Sequence, residues 1–150
     1  GIPEGKGSLV LTDGSKYIGE FEGGNRDGQG KMIYTNGDVY TGEWRADKKY
    51  GQGVYEWADG SKYVGTYFDG LMQGKGTITL ASGESYDGEW KNGLAEGQGE
   101  YVRLDGSKYL GKHKAGKRNG SGVITWRTGD IFIGKWKNGK VKTHAPRRGY

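Results

Sequence analysis

The sequence repeats itself every 23 residues, and the period fixes what the chain can fold into. Tyr17, Tyr40, Tyr63, Tyr86, Tyr109 and Phe132 follow one another at that spacing without an insertion. Two residues after each comes Gly19, Gly42, Gly65, Gly88, Gly111 or Gly134. Two further on stands Phe21, Trp44, Tyr67, Trp90, His113 or Trp136. A Gly-x-Gly pair recurs as Gly28/Gly30, Gly51/Gly53, Gly74/Gly76, Gly97/Gly99 and Gly120/Gly122, and Gly37, Gly60, Gly83, Gly106 and Gly129 close the units. A period in this range is the signature of a stacked array, in which each unit buries its apolar face only against its neighbours.

Each unit reads as a β-hairpin. Tyr40-Thr-Gly-Glu-Trp44 alternates ring and polar residues, the pattern of a strand with one covered face. Lys91-Asn-Gly-Leu94 is turn chemistry, and a second strand is expected to run from the Gly-x-Gly pair, as in Gly53–Trp57. Connecting turns such as Ala58-Asp-Gly-Ser61 use glycine for positive φ. The strand glycines make room for a ring from the next strand, since close approach is where strand glycine belongs. The fold class is therefore all-β: an elongated, single-layer antiparallel ribbon of stacked 23-residue hairpins. Composition agrees. Glycine fills 32 positions, which disfavours long helices, while 13% aromatic residues set the chain apart from disordered sequences.

Tyr86-Asp-Gly-Glu-Trp-Lys-Asn-Gly-Leu-Ala-Glu-Gly-Gln-Gly99 resembles the MORN (membrane occupation and recognition nexus) repeat closely, and the resemblance runs through nearly the whole chain. It divides the chain into a partial repeat over 1–16, five full repeats over 17–131, and a partial repeat with a basic tail over 132–150. The array is already in phase at Gly1, so the chain is expected to be a piece of a longer array. Departures from the family pattern are local. Asp27, Tyr50, Gln73, Glu96 and Asn119 stand where the family often has His before Gly-x-Gly. Asp47 replaces a turn glycine, and Arg103 stands where Tyr34, Trp57, Leu80 and Trp126 stand in other units. Thr143 and Ala145 occupy the places of a last Gly-x-Gly.

Catalytic chemistry finds little support. There is no cysteine, hence no thiol nucleophile, disulfide or thiolate zinc site. Of the two histidines, His113 holds a ring position, so it reads as a structural ring, and His144 has no ligand cluster around it. Glu20, Glu43 and Glu89 recur in phase on the side opposite the rings, and Asp13, Asp59 and Asp105 recur in turns, so all six read as solvated or turn residues. Gly111–Arg118 approaches a phosphate-binding loop but lacks the final hydroxyl residue. The chain is expected to be no enzyme and to take no cofactor or metal.

Charge is divided unevenly. Residues 1–107 hold 11 basic and 17 acidic side chains, whereas residues 108–150 hold 12 basic and a single acid, Asp130. No apolar run approaches the ~20 residues that span a bilayer, and without cysteines the plain location is cytoplasmic. The resemblance implies a cytoskeletal scaffold, since the family includes elongated dimers in protist cell-division structures, some of them at the inner face of a membrane. On that reading the ring-lined groove docks cytoskeletal or scaffold proteins through Tyr40, Trp44, Tyr55, Trp57, Tyr63, Tyr67, Tyr86, Trp90, Tyr101 and Tyr109. Packing between repeats is the competing role of every one of these rings. A homodimer is expected through the C-terminal repeats, near Trp126, Phe132 and Trp136. The alternative is a module that binds phosphoinositides or other anionic membrane lipids through Lys112, Lys114, Lys117, Arg118, Lys135, Lys137, Lys140, Lys142, Arg147 and Arg148. Nucleic acid would feel the same field, but the rings recur as packing residues and no nucleic-acid motif is present.

Overall fold

A computed structural model describes residues 1–141. The strands are β1 (Gly5–Val10), β2 (Lys16–Glu22), β3 (Asn25–Ile33), β4 (Val39–Arg45), β5 (Lys48–Glu56), β6 (Lys62–Phe68) and β7 (Leu71–Thr79). They continue as β8 (Ser85–Lys91), β9 (Leu94–Val102), β10 (Lys108–Lys114), β11 (Lys117–Thr125), β12 (Ile131–Lys137) and β13 (Lys140–Val141). All of them pair antiparallel in chain order within one open sheet, as the repeat requires.

Each hairpin closes with a two-residue turn in which both residues have positive φ, the geometry that follows strand twist. Asn92 and Gly93 sit at 51° and 83°, and Ala46 and Asp47 hold the same turn at 47° and 71° without a glycine. Hairpins are joined by wider turns in which a short polar side chain accepts from the backbone two residues on. Asp13, Asp59 and Asp105 accept from the N–H of Ser15, Ser61 and Ser107, each at 2.8 Å. The turn role read for these aspartates holds. Bonding to the Ser15 N–H holds the Asp13 carboxyl below its ordinary range, and bonding to the Ser107 hydroxyl and N–H does the same for Asp105.

Register aligns the glycines across the sheet. Gly7, Gly19, Gly30, Gly42, Gly53, Gly65, Gly76, Gly88, Gly99, Gly111, Gly122 and Gly134 are successive cross-strand partners. Tyrosine rings lie over this row. A Cβ on Gly53 would come within 2.5 Å of Tyr40 Cε1, so the slot admits hydrogen alone. One expectation needs correction: the second strand does not begin at Gly-x-Gly. In β5 it begins at Lys48, and Gly51 lies inside it at φ 63°, beside a bulge between Gly42 and Trp44.

Candidate functional site: the ring face of the sheet

The core is a line of rings on one face. Phe21, Tyr17, Trp44, Tyr40, Tyr67, Tyr63, Trp90, Tyr86, His113, Tyr109, Trp136 and Phe132 follow one another edge to face, with centroids 4.8–5.8 Å apart and planes at 75–89°. This is the favoured aromatic geometry, and such pairs are worth about 0.5–1.5 kcal/mol beyond burial. The hydroxyls of Tyr17, Tyr40, Tyr63, Tyr86 and Tyr109 each reach the carbonyl three residues on: Tyr40 donates to Glu43 O at 2.8 Å and Tyr63 to Thr66 O at 2.9 Å. Those carbonyls belong to the bulged residues, which have no register partner in the following strand, so the phenol completes the bulge. Burial pushes the Tyr17, Tyr63 and Tyr86 phenols up to about 12, and those of Tyr40 and Tyr67 higher still.

His113 is the structural ring that its phase implied. It is buried against Tyr86 and Tyr109, and burial lowers its pKa.

Burial divides the ten groove candidates. Tyr40, Trp44, Tyr63, Tyr67, Tyr86, Trp90 and Tyr109 are 0–8% exposed and lie inside the ring line. Tyr55, Trp57 and Tyr101 are half-buried and line the open groove with Tyr34, which the sequence reading left out. Tyr55 stacks between Tyr34 (5.9 Å) and Trp57 (4.8 Å) and donates to the buried Asp38 carboxylate at 2.7 Å.

The C-terminal candidates also separate. Trp136 is 2% exposed and closes the core, whereas Trp126 and Phe132 are 40% and 38% exposed. Arg118 is half-buried over Tyr109 and Trp136, at 5.7 and 5.9 Å, and donates to Gly139 O at 3.0 Å. It braces the ring face. Lys112, Lys114, Lys117, Lys135, Lys137 and Lys140 are exposed. Lys142, Arg147 and Arg148, and with them His144, lie outside the described residues.

The back face of the same two hairpins carries Leu110, Val123 and Ile133 as cross-strand neighbours. Leu110 and Ile133 are exposed, and the next row on that face holds Lys112, Ser121 and Lys135.

Sequence reasoning missed two roles. Asp27, Gln73 and Glu96 accept from Ala46, Asn92 and Ala115 N–H at 2.9–3.1 Å, tying each hairpin turn to the preceding repeat. The signal was a side-chain acceptor recurring before Gly-x-Gly. Glu43 and Glu89, read as solvated, fold over the bulge to accept from Gln52 and Gln98 N–H at 2.6 and 2.8 Å.

Among the described residues no group of three His, Cys, Asp or Glu side chains could hold a metal ion, and no helix is long and apolar enough to cross a membrane.

Solved structures with similar strand arrangements include the SAS-4 (dCPAP) TCP domain of Drosophila melanogaster, in complex with a proline-rich motif of Ana2 (dSTIL). It is 18% identical, with TM-score 0.41, over 87% of this chain and 90% of that one. The TCP10 domain of Danio rerio CPAP is 20% identical, with TM-score 0.39, over 85% and 72%. A virginiamycin B lyase from Staphylococcus aureus is 11% identical, with TM-score 0.27, over 87% and 55%. Likeness at this level extends to neither ligand nor partner. No curated protein matches the sequence. The family model for the MORN repeat matches residues 1–16, 17–39, 40–62, 63–85, 86–108 and 109–131, so the chain belongs to the MORN repeat family.

Proposed function

We propose that this chain is a non-catalytic scaffold whose ring-face groove docks a protein partner and whose C-terminal edge joins two copies within a membrane-associated cytoskeletal structure. MORN repeats are protein- and membrane-interaction modules. The observation that carries the docking reading is the set of half-buried rings Tyr34, Tyr55, Trp57 and Tyr101 packed against the buried ring line. Rings held rigidly by a packed core beneath them cost little entropy to engage.

The dimer reading rests on β12. Beyond β11 it meets β13 only at Trp136 and Lys137 among the described residues, which leaves Ile131–Lys135 as an edge beside exposed Phe132 and Trp126. Such an edge templates pairing with another chain. Light scattering on a sizing column, across concentration and at two salt levels, tests it. A mass near twice 16.4 kDa that falls in a Phe132→Glu variant is expected. A monomer at every concentration would refute the dimer.

One observation favours a second reading. The exposed aliphatic row Leu110–Val123–Ile133, framed by Lys112 and Lys135, suits an anionic bilayer surface, with phosphoinositide headgroups among the ligands. Vesicle flotation with Lys112→Glu/Lys135→Glu and with Phe132→Glu separates the two surfaces, because only the lysine pair lies on the back face.

A further inference from the structure

We propose that a hollow beside Ala95 is an anchor pocket for a bulky aromatic side chain on an acidic peptide. The inference rests on the reading above, that the ring face docks protein, and names the chemistry of the docked segment.

One register position caps the ring line. Arg26, Lys49, Met72, Ala95 and Arg118 are the cross-strand partners of Phe21, Trp44, Tyr67, Trp90 and His113. Arg26 lies 4.8 Å over Trp44, and Lys49 lies 5.5–5.8 Å over Tyr40, Trp44 and Tyr55. Met72 packs on the core. Ala95 ends at its Cβ, so nothing from its own side chain reaches across the rings. Trp90, opposite it, is 8% exposed, more than any other buried ring of the line. The space left is a hollow of about 540 Å³ walled by Trp90, Tyr101, Ile78 and Leu94. That volume falls within the range of small-ligand pockets, about 300–1,000 Å³.

Charge selects the flanking chemistry. Arg103, Lys117 and Arg118 border the hollow, and Glu84 is its single acid. Among the described residues neither arginine has a carboxylate within 4.0 Å, since the ion pairs are Arg26–Asp47 and Lys48–Asp69. Arg103 stands where every other repeat has Leu11, Tyr34, Trp57, Leu80 or Trp126, so its charge serves no common packing role. A guanidinium with unused N–H groups at the rim of an apolar hollow suits a carboxylate beside an apolar anchor.

The probe is acetyl-Glu-Glu-Trp-Glu-Glu-amide, titrated against methyl-labelled protein, with the Ile78 and Leu94 methyl signals as readout. Saturable shifts at both are expected. Replacing the peptide's Trp by Ala, or its Glu residues by Lys, should weaken binding about tenfold or more. Ala95→Met, which supplies the residue found at 72, should abolish the shifts while leaving the far-ultraviolet spectrum unchanged, and Arg103→Glu should weaken binding. Equal binding to wild type and to Ala95→Met, equal binding of the Lys peptide, or no shift at Ile78 and Leu94 would each overturn the pocket. Shifts confined to the Met32 and Met72 methyls would overturn it as well and leave groove docking standing.

Discussion

Adding one methyl group at equivalent positions of two repeats should have opposite effects. Gly53 and Gly7 are both the second glycine of a Gly-x-Gly, and neither has positive φ, so backbone conformation excludes alanine from neither. At Gly53 a Cβ would lie 2.5 Å from Tyr40 Cε1 and 2.7 Å from Cζ, and closer still to the hydroxyl. The ring cannot withdraw, because it is fully buried and wedged between Trp44 and Tyr67 at 5.2 Å each. Overpacking of this kind costs about 1–3 kcal/mol. Displacing the phenol from Glu43 O, at 2.8 Å, adds about 1 kcal/mol. Gly53→Ala should therefore destabilise by about 2–4 kcal/mol. At Gly7 the same methyl meets only Phe21 Cε1 at 3.8 Å, an ordinary contact. Gly7→Ala should stabilise by about 0.4–1 kcal/mol through the unfolded state.

Urea unfolding followed by tryptophan fluorescence and far-ultraviolet circular dichroism gives the global effect. Hydrogen exchange at Leu9 and Tyr55 reads each site locally, since edge repeats open below the global free energy. Tyr40→Phe should partly rescue Gly53→Ala, because it removes the hydroxyl and leaves the ring carbons in place. Equal shifts for the two alanine variants, or strict additivity of Gly53→Ala and Tyr40→Phe, would refute the ring-slot account of these glycines.

Ala115 holds φ 49° at a turn position that asparagine fills in two other repeats, at Asn92 and Asn138. Ala115→Asn should stabilise by about 1 kcal/mol, read as a rise in urea midpoint at constant slope. The Tyr17, Tyr63 and Tyr86 phenols have folded pKa values raised to about 12, so the neutral ring stabilises the fold fully below pH 10, and that contribution is lost as pH climbs from 10 through 12. Phenolate absorbance at pH 11 should show fewer ionised tyrosines in native than in urea-unfolded protein. His113 has the opposite sign: its folded pKa lies below 6.5, so stability should decline as pH falls below 6.5, and His113→Phe should flatten that decline in thermal melts between pH 7 and 5.

The sequence carried the period, and through it the hairpins, the all-β class and the His113 ring position. These follow from local chemistry: turn residues, alternation, and glycine at fixed offsets from tyrosine. Which rings stay buried did not follow. Trp44 and Trp57 look equivalent in the sequence, since each ends an alternating run two residues after a tyrosine or glycine position. Trp44 interlocks with Tyr17 of the preceding hairpin, whereas Trp57 follows the last residue of β5, at the connecting turn, and stays half-open. The turn acceptors at Asp27, Gln73 and Glu96 were equally obscure, because each serves a turn 19 residues later and no local pattern links the two.

Two kinds of position therefore share the ring face, and they divide the labour between fold and recognition. Tyr40, Gly42, Gly53 and their counterparts interlock across strands, so a change at any of them disturbs two neighbouring hairpins. Arg26, Lys49, Met72, Ala95 and Arg118 occupy one register position above the same rings, yet differ in charge and length from repeat to repeat. Leu11, Tyr34, Trp57, Leu80, Arg103 and Trp126 vary likewise along the groove margin. The interlocked positions hold the ribbon in register at low cost in apolar residues, because ring packs on ring within a single layer. The variable rows then present a graded surface on a rigid support, with cations over the rings at Arg26 and Lys49 and a hollow at Ala95. A partner that lies along the ribbon meets this series in a fixed order at fixed intervals, so its specificity is set by the rows that the fold leaves free to change.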